Sequence, residues 1–144
     1  MVNIFCFVVL LGCLIGGAEP TAFVFNGTLF CHQPTWQYHI KVYELDSGMD
    51  DLLGQHKQIV TGKNSSSYLI DGTYESWDGL FDWHYEIGYS IDFICTGAAT
   101  SFDIRSLTIP DTQRYFREEL EFDLTNNRWR VFRRCNKLFC DFLH

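Results

Sequence analysis

The sequence predicts an all-β protein, an antiparallel β-sandwich of about seven strands. Apolar residues recur at every second position in a succession of short runs, the period of a strand with one buried face. Turn-forming Gly, Pro, Asn and Asp punctuate those runs, and no stretch carries a helical period over the length of a helix.

Phe23 to Cys31 is the first run, with Phe25, Gly27, Leu29 and Cys31 on one face. Pro34 ends it, because proline offers a sheet no N–H. In the next run Ile40 and Val42 face one way and Lys41, Tyr43 and Leu45 the other, before Asp46-Ser47-Gly48 turns the chain. Leu52 and Leu53 are expected to pin the acidic loop that follows to the core. Lys57–Thr61 and Tyr68–Ile70 flank Gly62-Lys63-Asn64-Ser65-Ser66, which has the composition of a hairpin connection. Residues 71–86 are irregular, mixing aromatics with acids, and leave room for a short helical turn. Tyr89, Ile91 and Phe93 then alternate, and Phe102, Ile104, Leu107 and Ile109 form another strand, closed by Pro110-Asp111. Leu120, Phe122 and Leu124 alternate with Glu119, Glu121 and Asp123, and Asn126-Asn127 turns the chain into Trp129-Arg130-Val131-Phe132.

The first 18 residues are apolar, carry no charged side chain and end in Gly16-Gly17-Ala18, which predicts a signal peptide over 1–18. That run is shorter than a spanning helix, and no basic cluster follows it, so a membrane-spanning chain is not expected. Residues 19–144 have the length of one domain. They carry Cys31, Cys95, Cys135 and Cys140, read as two disulfides in an oxidising compartment. Three connectivities are open. Because the short Cys135–Cys140 loop would constrain the unfolded chain least, the favoured pairing sends these two back to Cys31 and Cys95. Asn26-Gly27-Thr28 and Asn64-Ser65-Ser66 are glycosylation sequons, of which Asn64, in a polar turn, is the better acceptor. A formal charge of -7 argues against nucleic acid as a partner.

Three local patterns resemble the nematode transthyretin-like family. Gly27-Thr28-Leu29-Phe30-Cys31 is similar to its opening Gly-x-Leu-x-Cys. Lys41-Val42-Tyr43-Glu44-Leu45-Asp46, with Asp50-Asp51-Leu52-Leu53, resembles its second strand and acidic loop. Ile109-Pro110-Asp111 matches the tripeptide that closes a later strand, and Cys95 falls where the family places a cysteine. The chain departs from the pattern at Ser66-Ser67 before Tyr68, at Phe93 in place of a histidine, and in its C-terminal Cys135 and Cys140. The resemblance implies a secreted transthyretin-like (prealbumin-like) sandwich without catalytic activity. It implies a role as adaptor or effector towards a protein or anionic-lipid surface.

Candidate chemistry is sparse. Asp46, Asp50 and Asp51 cluster hard oxygen ligands but lack the spacing of a calcium loop, and a solvated turn is the simpler reading. His32, His39, His56, His84 and His144 form no close pair, so no metal or other cofactor is expected. A hydroxyisourate hydrolase is the enzymatic alternative suggested by relatives of transthyretin, yet their C-terminal Tyr-Arg-Gly-Ser is missing and no nucleophile, base and orienter group together. No catalytic residue is assigned. A carrier of a small hydrophobic ligand is a further alternative.

Two stretches are candidate binding surfaces. Trp77, Phe81 and Trp83, with Leu80 and Tyr85, are either an aromatic interface or, more simply, a plug over the core. Arg128, Arg130, Arg133, Arg134 and Lys137 hold five of the eleven basic side chains. They are either an anionic-lipid site or, by default, cross-strand partners of Glu118, Glu119, Glu121 and Asp123.

Overall fold

The period-two pattern becomes nine strands among the residues described by the computed structural model, namely 21–46, 48–74, 84–110, 113–136 and 140–142. In chain order they are β1 (Thr21–Phe30), β2 (Thr35–Glu44), β3 (Asp51–Thr61), β4 (Ser65–Tyr74), β5 (His84–Ile94), β6 (Ala99–Pro110), β7 (Tyr115–Asp123), β8 (Arg128–Asn136) and β9 (Cys140–Phe142). Two sheets form, one in the order β4-β1-β7-β8-β9 and one in the order β3-β2-β5-β6. The count exceeds the expected seven. Residues 1–18 and the aromatic side chains Trp77, Phe81 and Trp83 lie outside the described residues.

The core fills the space between the sheets with the inward half of each alternation. β1 buries Phe23, Phe25 and Leu29, and β2 buries Trp36, Tyr38, Ile40 and Val42. Ile87, Tyr89, Ile91 and Phe93 of β5 face Phe116, Leu120 and Phe122 of β7. Aromatic edges meet across the gap: Phe25 and Tyr89 pack T-shaped with ring centroids 5.8 Å apart. Burial of this kind stabilises by about 1.5–3 kcal/mol per large apolar side chain. The acidic loop after β2 is pinned by Leu53, which packs on the core, whereas Leu52 is exposed. Leu45 folds over the outer face against Gly88, where a Cβ would meet its methyl groups at 2.8 Å.

Three further expectations change. The sandwich is not wholly antiparallel, because β1 and β7 pair in parallel. Parallel neighbours need a long crossover, and here the chain traverses the opposite sheet between them. Gly27 sits at this junction, packed so close to the Leu120 backbone that a Cβ would overlap its carbonyl oxygen.

The segment 62–66 is no hairpin turn. The strands it joins, β3 and β4, belong to different sheets, so it carries the chain across the sandwich. Its backbone bonds the neighbouring crossing instead of closing a hairpin: Gly62 N donates to Pro34 O at 2.8 Å, and Cys31 N donates to Asn64 O at 3.0 Å. Polar turn composition serves both kinds of connection equally.

The disulfide pairing is the third correction. Cys31 and Cys95 bond to each other, with Cα atoms 5.8 Å apart. They directly follow the last residues of β1 and β5, so the bridge ties the two sheets. Cys135 is also disulfide-bonded, and the β8–β9 register places Cys140 directly across from it. Loop entropy describes the unfolded chain; proximity in the fold decides the partner.

Candidate functional site

The β7–β8 hairpin brings most of the charged side chains of the C-terminal third together. Asp123 closes β7 and organises the turn, accepting from Thr125 N at 3.1 Å, Asn126 N at 3.2 Å and Asn126 Nδ2 at 2.8 Å. The Asn126 side-chain amide, and after it the backbone N–H groups, hold the Asp123 carboxyl below its ordinary pKa. Asn127, with φ of 51°, supplies the left-handed residue that the turn needs.

The register of β1, β7 and β8 then lays out two rows across the outer face. Phe30, Asp123 and Arg128 form one, and Thr28, Glu121 and Arg130 the other. Glu121 accepts an ion-paired hydrogen bond from Arg130, whose side chain remains 71% exposed. Arg128 is exposed and has no ion-pair partner among the described residues. Phe30 and Trp129 are exposed apolar side chains beside it. Together with His32 these residues line a groove of about 440 Å³ at the end of the five-stranded sheet.

Arg134 behaves differently. A register shift between Glu119 and Leu120 brings it opposite Glu118, which is fully buried. Arg134 donates to Glu118 Oε1 from Nε at 3.0 Å and from Nη2 at 2.6 Å, and the Tyr89 hydroxyl donates to Oε2 at 2.7 Å. Burial first, and then the Glu118 charge, push the Tyr89 hydroxyl well above its ordinary pKa. The same two causes raise Tyr68, whose hydroxyl has no hydrogen-bond partner among the described residues. Cross-strand pairing therefore accounts for Arg130 and Arg134. Arg133 stands opposite Glu119 in the register. Glu118 was legible as an inward residue, since it shares parity with Leu120, Phe122 and Leu124; its charge hid that.

Parity also carries Glu44, in step with Ile40 and Val42, into the interior. Its carboxylate meets those of Asp46 and Asp51 within 4.8 Å, while Asp50 accepts from Asp46 N. Three carboxylates fall short of the six or more oxygens that calcium takes.

Two further polar groups bear on catalysis. Across the four-stranded sheet the register aligns Ser101, Asp92, His39 and Lys57. Asp92 is hydrogen-bonded by Ser101 and Lys41, which lower its pKa in that order, and His39 Nε2 contacts Gln55 at 2.8 Å. With the carboxylate between hydroxyl and imidazole, the order is wrong for activating the serine. Where β3 and β4 meet along one edge of the sandwich, the Tyr38 hydroxyl lies 3.1 Å from His56 Nδ1 and 3.2 Å from Ser66 Oγ, and donates to Gln58 Oε1 at 3.2 Å. Burial raises the Tyr38 pKa, opposed by the Ser66 bond. This cluster satisfies a buried hydroxyl and occupies Ser66 of the second sequon.

Of the sequon asparagines, Asn64 is exposed in the β3–β4 link. Asn26 lies on β1 between two bonded strands, and its Oδ1 accepts from Arg117 Nε at 2.9 Å.

No protein-family model, no curated protein and no solved structure matches the chain. Among the described residues no helix is long and apolar enough to cross a membrane.

Proposed function

We propose that this chain is a secreted, non-catalytic binding protein on a transthyretin-like sandwich, and that it takes a protein partner at the end of the five-stranded sheet. The observation that carries the reading is the groove where Phe30 and Trp129 stand exposed beside Arg128. Aromatic and arginine side chains are the usual anchors of protein interfaces. The anionic-lipid version is weaker, because Arg134 is committed to the buried Glu118 and Arg130 shares its charge with Glu121, which leaves Arg128 as the one unengaged cation lining the groove among the described residues. The scaffold reading is supported by what its motif residues do: Gly27 admits the Leu120 backbone, Cys31 bridges to Cys95, and Ile109 is buried at the end of β6. Two disulfides and an exposed Asn64 sequon are consistent with a secretory route.

The test is saturable capture of a defined protein from extracellular fluid by the immobilised chain, compared with Arg128→Glu and Trp129→Ala. Capture that both changes abolish supports the reading. Retention on anionic vesicles that ignores both changes, with no protein captured, overturns it.

A second reading has one observation in its favour. His32, Arg128 and Arg130 line the same groove, the convergence a hydroxyisourate hydrolase would use to polarise its substrate and water. Decay of hydroxyisourate no faster than in buffer ends this reading. Acceleration lost in His32→Ala establishes it.

A further inference from the structure

β9 bonds only the far part of β8, at Arg133 to Cys135. From Arg128 to Phe132 the outer edge of β8 has no neighbouring strand among the described residues. An unpaired strand edge presents a row of backbone donors and acceptors to whatever extended segment fits it. This edge runs beside the groove of Phe30, Arg128 and Trp129.

The strand already bonded to the other edge shows what fits. β7 offers β8 an acidic outer face, Glu119, Glu121 and Asp123, opposite Arg133, Arg130 and Arg128. Its inner face offers Leu120 and Phe122 opposite Val131 and Trp129. Capacity for a second such strand remains. Arg128 is unengaged among the described residues, and Arg130 uses Nε and one terminal nitrogen on Glu121 while most of its side chain stays in solvent. A guanidinium has five N–H donors in a fixed fork, so one arginine can bridge carboxylates on both sides. Trp129 and Phe132, both exposed, offer apolar contact along the same edge.

We infer that the edge of β8 from Arg128 to Phe132 is a strand-addition site for an extended segment of a partner protein in which acidic and apolar residues alternate. The segment bonds the β8 backbone, sets its carboxylates on Arg128 and Arg130, and lays apolar side chains against Trp129. This rests on the protein-binding reading above and names the chemistry of the partner at that site.

The probe is the peptide acetyl-Glu-Leu-Glu-Phe-Glu-Leu-Glu-amide, titrated into the isotope-labelled full chain and followed by amide shifts and hydrogen exchange. Saturable binding is expected, with exchange slowed at alternate amides between Arg128 and Phe132. Affinity should fall at least tenfold in Arg128→Glu, an exposed position whose change leaves the melting temperature in place. A lysine-for-glutamate peptide should bind at least tenfold more weakly, as should one N-methylated at the Leu and Phe amides. Equal binding of the lysine peptide, or no binding of any peptide, overturns the inference. If the N-methylated peptide binds equally, strand addition is wrong while an acidic protein partner survives. Protection that grows with protein concentration without peptide assigns the edge to a second copy and also overturns it. Because the capture experiment uses whole partners, its result stands or falls separately.

Discussion

The Tyr89 hydroxyl donates to Glu118 at 2.7 Å across the interior, joining β5 of one sheet to β7 of the other through a carboxylate with no exposed surface. Arg134 neutralises that carboxylate from β8. Sequence distance conceals the arrangement, and several consequences follow from how buried charge behaves.

Removing one partner of such a pair leaves an uncompensated charge in the core. Arg134→Ala is expected to lower stability by about 3–5 kcal/mol, and Tyr89→Phe by about 1.5–3 kcal/mol. Glu118→Leu, Arg134→Leu and Tyr89→Phe made together should cost less than Arg134→Ala alone, since no polar group is then stranded. Urea unfolding of the four proteins measures this; a triple variant less stable than Arg134→Ala would refute it.

Alkaline stability should carry the mark of Tyr68 and Tyr89. Their folded pKa values lie well above the ordinary 10.0, chiefly through burial and then through Glu118. A raised folded pKa contributes stability that is complete below the unfolded value and is lost as pH rises towards the folded one. Above pH 10 the protein should therefore weaken, with these two tyrosines ionising only on unfolding. Ultraviolet difference titration of the native and urea-unfolded chain resolves the two populations.

On the acid side, Asp92 and Asp123 are lowered below the ordinary 3.8 by hydrogen bonds from Ser101 and Asn126 respectively. Lowered carboxylates stabilise above their unfolded pKa and lose that contribution as pH falls through the folded one. Asn126→Ala should raise the Asp123 pKa and destabilise the turn by less than about 2 kcal/mol. Carboxyl-carbon NMR titration reads the shift.

Gly27→Ala tests the parallel β1–β7 junction. A methyl group there would overlap the Leu120 carbonyl, and backbone cannot swing away as a side chain can. The cost should reach about 3 kcal/mol or more, seen as a lower melting temperature. Gly48→Ala, where a Cβ meets nothing within 4 Å, is the matched control.

Replacing Cys31 and Cys95 with serine should remove about 4 kcal/mol, the chain-entropy contribution of closing a loop across a separation of 64 residues. Cys135→Ser should cost less, because the residue across from it in the β8–β9 register, Cys140, is close in the chain. Thermal melts with and without reductant separate the two bridges.

Much of the core was legible. Phe25, Leu29, Ile40, Val42, Tyr89, Ile91, Phe93, Leu120, Phe122 and Leu124 all face inward as their period requires. The same period carried Glu44 and Glu118 inside, and there charge misleads a reader who assigns every acid to solvent. The candidate cations were legible as a cluster, but two positions four residues apart on β8 differ in fate. Arg130 stays at the surface on Glu121, whereas the register shift at Glu119 turns Arg134 onto Glu118. A shift by one residue cannot be read from composition.

The sequence by itself determined the strand class and most of the inward residues, because both depend on alternation and on local backbone chemistry. Which strands became neighbours was decided only in three dimensions. The parallel pairing of β1 with β7, the bonds from the crossing at 62–66 to Cys31 and Pro34, and the Cys31–Cys95 bridge all join residues far apart in the chain. Their partners are fixed by how two twisted sheets close over one shared core, a condition no local segment contains.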